Sequence, residues 1–150
     1  MKSEGGFLLD VNVLIAMAWP QHTSHTVVSA WLRRHAGRGW ATCALTELAF
    51  VRILANPAFT SDALSPKNAL ELLKRNLSHP AHQFWSCDLG YAEAVDSFLG
   101  FIIGHQQTTD AYLLGLAVSR KGKLVTLDRG IRSLMQQDEE AGRWIEHIGA

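Results

Sequence analysis

The sequence predicts an α/β protein with a central, mainly parallel sheet of about five short strands. Two observations carry this expectation. Short apolar runs alternate with longer stretches of helical spacing along the whole chain, and parallel strands need helical crossovers between them. In addition, 47% of the 150 residues are apolar, enough for one sizeable core but short for two, so residues 1–150 are expected to form one domain.

Phe7-Leu8-Leu9 is an apolar run ending at Asp10, and Val11 to Ala18 reads as a short helix stopped by Trp19-Pro20. Thr23 to His35 sets Val27, Val28, Trp31 and Leu32 near helical spacing, with basic residues in the last turn and Gly37 as a stop. Trp40 to Cys43 is too brief for a helix and reads as a strand. A helix over Leu45 to Ala55 follows, with Thr46 as its possible cap and Asn56-Pro57 as its end. Ser65 then Pro66 opens a helix to Leu77 in the favoured cap-then-proline order. Phe84 to Cys87 is a third candidate strand, followed by a helix around Tyr91 to Phe98. Thr108-Thr109-Asp110 precedes a strongly apolar helix to about Arg120, and Lys123 to Leu127 is a strand. A short helix over Ile131 to Met135 and a terminal strand over Trp144 to Ile148 complete the chain.

The 14 basic and 14 acidic residues cancel, so no overall positive field advertises a tight, unspecific polyanion binder. Cys43 and Cys87 lack metal-site spacing and sit in apolar contexts, which reads as buried free thiols in a reducing compartment. Met1 to Gly6 shows no basic region followed by a long apolar run, and no stretch approaches a membrane span. A soluble, cytoplasmic protein is expected.

Parallel sheets bind ligands beyond the carboxyl ends of their strands, so the residues there carry the chemistry. Asp10 follows the first strand, Glu47 lies in the first turn of the helix after the second, Asp110 opens a later helix, and Asp128 follows the next strand. If those strands are parallel, four carboxylates converge on one edge. Gathered carboxylates raise one another's pKa unless a cation compensates. An all-oxygen set suits hard ions such as magnesium or manganese, which can activate a water and stabilise a departing oxygen in phosphodiester hydrolysis. Taken singly, each acid also fits a helix cap or a helix's positive end.

Leu8-Leu9-Asp10-Val11-Asn12-Val13-Leu14-Ile15-Ala16 resembles the opening motif of PIN-domain proteins, particularly VapC-type toxins. Thr46-Glu47-Leu48 with Val51-Arg52 and Asn56-Pro57 resembles the second acidic motif of that family. Thr109-Asp110-Ala111-Tyr112-Leu113-Leu114 resembles the third, and Leu124-Val125-Thr126-Leu127-Asp128-Arg129-Gly130 the fourth. Four motifs in order across nearly the whole chain are far more specific than one. The resemblance implies a PIN-like α/β/α sandwich and an Mg2+-dependent or Mn2+-dependent endoribonuclease, the toxin of a type II toxin–antitoxin pair. It implies Asp10, Asp110 and Asp128 as metal ligands, Glu47 completing the acidic site or holding a second ion, and Asn12 and Thr126 orienting ligands or water. It further implies an RNA substrate, a cognate antitoxin covering the site, and a homodimer.

Arg129, beside Asp128, and Arg52, on the helix of Glu47, are candidate RNA contacts, with Lys121 and Lys123 as a possible rim. Trp19 could stack on a base but better suits closing a core. His22 and His25 lack a third soft ligand for zinc. His105 is a conceivable proton donor near Asp110 or an exposed loop residue. Tyr112 to Val118 implies central burial or a dimer face. Two rival functions stand beside the nuclease. A haloacid-dehalogenase-type phosphatase would need an acid where Asn12 stands; a non-catalytic RNA-binding or scaffold module would use its acids only as caps.

Overall fold

The computed structural model describes residues 5–135 and 138–149. Five strands, β1 (Phe7–Leu9), β2 (Trp40–Thr42), β3 (His82–Phe84), β4 (Lys123–Thr126) and β5 (Ile145–His147), form one sheet in the order β3-β2-β1-β4-β5. Every neighbouring pair is parallel, with Leu8 opposite both Ala41 and Leu124. The chain starts in the middle of the sheet, builds outward through β2 and β3, then returns to the other side of β1 with β4 and β5. Growth therefore reverses between β1 and β4, where an open α/β sheet leaves a crevice at its carboxyl ends.

Side chains alternate across a strand, and this sorts the core into two layers. Phe7, Leu9, Trp40 and Val125 pack on the side of α1 (Val11–Ala18), α2 (His25–His35), α3 (Ala44–Leu54) and α4 (Pro66–Leu77). Leu8, Ala41 and Leu124 pack against α5 (Tyr91–Val95), α6 (Thr108–Ser119) and α7 (Asp138–Trp144). The architecture is the expected α/β/α sandwich, with an all-parallel sheet.

Local signals explain the best-anticipated helices. Asp10 caps α1 by accepting from the Val11 N–H at 2.8 Å, and Ser65 caps α4 by accepting from Asn68 N–H at 3.1 Å, with Pro66 opening the helix. All of Ala111 to Ala117 on α6 is buried, which settles that stretch as core. Gly115 lets α5 approach α6 closely, because a Cβ there would collide with the Ala94 carbonyl.

Several expectations are corrected. The third strand is His82–Phe84 and not Phe84 to Cys87. It is an edge strand with half-buried or exposed side chains, so apolar content does not mark it; its register is set by His82 opposite Trp40 and Phe84 opposite Thr42. Trp85 then plugs the core, and Cys87, beyond the strand, is exposed where a buried thiol was expected. Cys43 is buried and both thiols are free.

The helix bearing Glu47 starts at Ala44 with Cys43 as N-cap; Thr46 sits one turn in and its hydroxyl accepts from the Cys43 N–H at 3.1 Å. The helix expected to reach Phe98 ends at Val95 and tightens to 3-10 geometry over Asp96–Phe101. The short helix after Asp128 is also 3-10, over Arg129–Leu134. The terminal strand begins at Ile145, and α7, which the sequence did not announce, precedes it. No helix of the described residues is long and apolar enough to cross a membrane.

Candidate active site

The topology dictates where the acids fall. Asp10 leaves β1 and Asp128 leaves β4, the two strands flanking the reversal. Asp110 lies in the first turn of α6, which leads back into β4 and so begins at the carboxyl edge of the sheet. Glu47 lies in the first turn of α3, which leaves β2 at the same edge.

Asp10, only 5% exposed, is held on both carboxylate oxygens: Oδ1 accepts from Val11 N–H and Oδ2 from the Thr126 hydroxyl at 2.8 Å. Thr126 is itself fully buried, and its oxygen accepts from the Asp128 N–H at 3.0 Å. Asn12 ties the two strand ends together, donating from Nδ2 to Thr126 Oγ1 at 3.4 Å and accepting from the Leu127 N–H at 3.2 Å. Asp128 is exposed and caps the following 3-10 turn through the Gly130 N–H at 2.8 Å. The capping roles expected for Asp10 and Asp128 are therefore real, and both residues fill them at the carboxyl edge of the sheet.

Electrostatics joins the three aspartates. Burial raises the Asp110 pKa, and the charges of Asp10 and Asp128 add to it, bringing it to about 7. Burial also raises Asp10, opposed by its bonds from Thr126 and Val11 and assisted by Asp128. Elevation by neighbouring carboxylates, added to that from burial, marks acids held near one another. Among the described residues no group of three His, Cys, Asp or Glu side chains forms a ready-made metal cage. The donor set is nevertheless all oxygen, which fits a hard divalent cation.

Glu47 stands in a second arrangement. Its Oε2 accepts from the Thr42 hydroxyl at 2.6 Å, and the same hydroxyl lies 2.8 Å from His82 Nε2. Burial lowers the His82 pKa while the charge of Glu47 raises it. Sequence reasoning missed Thr42 and His82. A signal existed: β2 and β4 both end in threonine, and each hydroxyl holds one of the acids.

Arg52 and Arg129 are both exposed, one in the last turn of α3 and one just past Asp128. Trp19 is half-buried against the core, its indole N–H donating to Gln21 at 2.9 Å. His25 Nδ1 sits 2.7 Å from the Ala16 carbonyl and His22 Nδ1 accepts from Ser24 N–H, so both serve the α1–α2 connection. His105 is exposed in a 3-10 turn.

Fold and acidic edge define a class, and residues 7–135 match the profile of the PIN domain. The chain belongs to the PIN-domain family. Among curated proteins it is similar to Ribonuclease VapC38 of Mycobacterium tuberculosis, 41% identical over 130 residues covering 87% of this chain and 90% of that protein. It is also similar to Ribonuclease VapC44 of the same species, 40% identical over 124 residues, 83% of this chain and 87% of that protein. The fold matches VapBC2 from Rickettsia felis bound to a DNA fragment from its promoter, with TM-score 0.64, 13% identity, and 95% and 98% of the two chains covered. FitAcB from Neisseria gonorrhoeae matches with TM-score 0.60 and 19% identity over 94% of this chain and 96% of that one.

Proposed function

We propose that the protein is an endoribonuclease of the VapC kind, the toxin of a toxin–antitoxin pair, cutting RNA with magnesium or manganese at Asp10, Asp110 and Asp128. The observation that carries it is the Asp110 carboxyl, raised by burial and by the charges of Asp10 and Asp128 at the reversal point of a parallel sheet. The curated relatives named as VapC ribonucleases support the same reading. When bound, a hard divalent cation supplies charge neutralisation and Lewis acidity at phosphorus. The protein's own part is placement. Thr126 and Asn12 fix Asp10 and the chain leading to Asp128; Thr42 fixes Glu47, which completes the acidic edge; Arg129 and Arg52 contact phosphates of the RNA.

The partner protein is assigned a place beside the acids. Val11, Asn12, Ile15, Ile53 and Phe59 help line a cavity of about 410 Å³, and Asn12 also bonds Thr126. An antitoxin segment seated there covers the approach to Asp10. A homodimer is part of the same proposal, resting on the family.

The test is incubation of purified, antitoxin-free protein with a pool of structured RNAs in Mg2+ or Mn2+, with new ends mapped by sequencing. Discrete cuts that vanish with chelator and in Asp10→Asn are expected. RNA affinity that survives both changes, with no cuts by wild type, would instead identify a binding module whose acids act as caps.

A further inference from the structure

A second cavity, of about 390 Å³, opens on the other flank of the acidic edge. Ala44 and Leu45 from the start of α3 form one wall, and Thr108, Thr109 and Tyr112 from the start of α6 form another. Tyr91, at the start of α5, stands at its side. These walls adjoin the proposed catalytic acids in sequence: Thr109 immediately precedes Asp110, and Leu45 lies two residues before Glu47. Successive helix residues are only about 1.5 Å apart along the axis, so the cavity opens at the same level of the sheet's carboxyl edge as the helix turns that carry Asp110 and Glu47.

The chemistry of the lining selects the occupant. None of its described residues is charged, so a phosphate has nothing to hold it there. The surface is apolar and aromatic, with threonine hydroxyls on one side. Tyr91 and Tyr112 present parallel rings, 10° apart in plane with centroids 6.3 Å apart. Tyr112 is locked in place by donating its hydroxyl to the Leu89 carbonyl at 2.7 Å, whereas Tyr91 is 46% exposed. The volume falls among small-ligand clefts, roughly 300–1,000 Å³. Flat faces beside hydroxyls suit a heteroaromatic base, and single-stranded RNA is characteristically read by splaying bases onto aromatic side chains. With zero formal net charge, the protein also lacks the broad positive field that would otherwise supply RNA affinity.

We infer that this cavity is a nucleobase subsite, which receives an unstacked base of the RNA strand next to the scissile phosphate and so selects where the strand is cut. The assignment rests on the proposed ribonuclease activity. Tyr91 supplies the exposed stacking face, Tyr112 and Leu45 the apolar walls, and Thr109 the polar rim, the Thr108 hydroxyl being engaged in donating to the His105 carbonyl at 2.8 Å.

The test uses the full chain and short single-stranded ribo-oligonucleotides spanning a mapped cut site, intact or with one abasic nucleotide at successive positions. Affinity is read in the Asp10→Asn background and cut position in the otherwise native protein. Tyr91→Ala is expected to weaken binding about ten-fold and to blur the cut position. Tyr91→Trp should retain both properties. One abasic position should cost native Tyr91 protein about as much as Tyr91→Ala does, with no further loss when the two are combined. Leu45→Glu, at a surface position, should reproduce the loss without opening a void.

Metal-dependent cutting with unchanged affinity and cut position in both Tyr91→Ala and Leu45→Glu would overturn the subsite and leave the ribonuclease intact. Release of a co-purified partner protein by Tyr91→Ala, with oligonucleotide affinity unchanged, would assign the cavity to a protein and overturn it likewise. No cutting by wild type would remove the ribonuclease and the subsite together.

Discussion

Thr126 is the residue on which the acidic edge turns. Its buried hydroxyl donates to Asp10 and accepts from the Asp128 N–H. Thr126→Val keeps the volume yet strands both groups, and should lower stability by about 1–3 kcal/mol and depress cleavage, while Thr126→Ser should restore most of both. Urea unfolding and cleavage rate read the two effects. Asp110 offers a pH test. Its carboxyl is held up at about 7 by burial and by Asp10 and Asp128, above the ~3.9 of an unfolded aspartate. A carboxyl raised on folding stabilises the native chain fully below its unfolded pKa and loses that contribution as pH rises through its folded one. Metal-free protein should therefore weaken between about pH 4 and pH 7. Asp110→Asn should flatten that decline and exceed wild type at about pH 8 by on the order of 1–2 kcal/mol, allowing for solvent screening. Equal unfolding midpoints in chelator at that pH would show that Asp110 feels no such strain.

At the scale of elements, the contact of α5 with α6 gives the sharpest prediction. Gly115 sits where a Cβ would meet the Ala94 backbone, and a backbone cannot yield as a flexible side-chain tip can. Gly115→Ala should cost about 1–3 kcal/mol despite the better helix propensity of alanine, read as a lowered unfolding midpoint. Legibility in the sequence followed the same physics. Helices with local end signals, Asp10 before α1 and Ser65-Pro66 before α4, could be placed to the residue. Helix α5, whose N-cap Gly90 makes no side-chain cap bond, was placed only loosely. Edge strand β3 was shifted by two residues, because His82 and Gln83 carry no apolar signal and only pairing with β2 defines them. Cys87 was misplaced with it.

At the scale of the molecule, the four acids could be picked out because each follows a strand or opens a helix at one edge. Of the residues that join them, the family resemblance pointed to Asn12 and Thr126, but their bonding partners could not be read. Thr126 to Asp10, Asn12 to Leu127 and Thr42 to His82 all span elements, and side-chain partnerships across a sheet exist only once strand order is fixed. The order β3-β2-β1-β4-β5 places the reversal point beside Asp10, and the flanking cavities follow from it.

A calorimetric titration of metal-free protein with Mn2+ or Mg2+ near pH 6, run in buffers of different ionisation heat beside Asp10→Asn and Asp110→Asn, tests the acidic site most directly. Saturable binding with proton release in wild type, weakened in Asp10→Asn and stripped of its proton release in Asp110→Asn, is the predicted result. Heats of equal size and equal buffer dependence in all three proteins would contradict a cation site built on these aspartates.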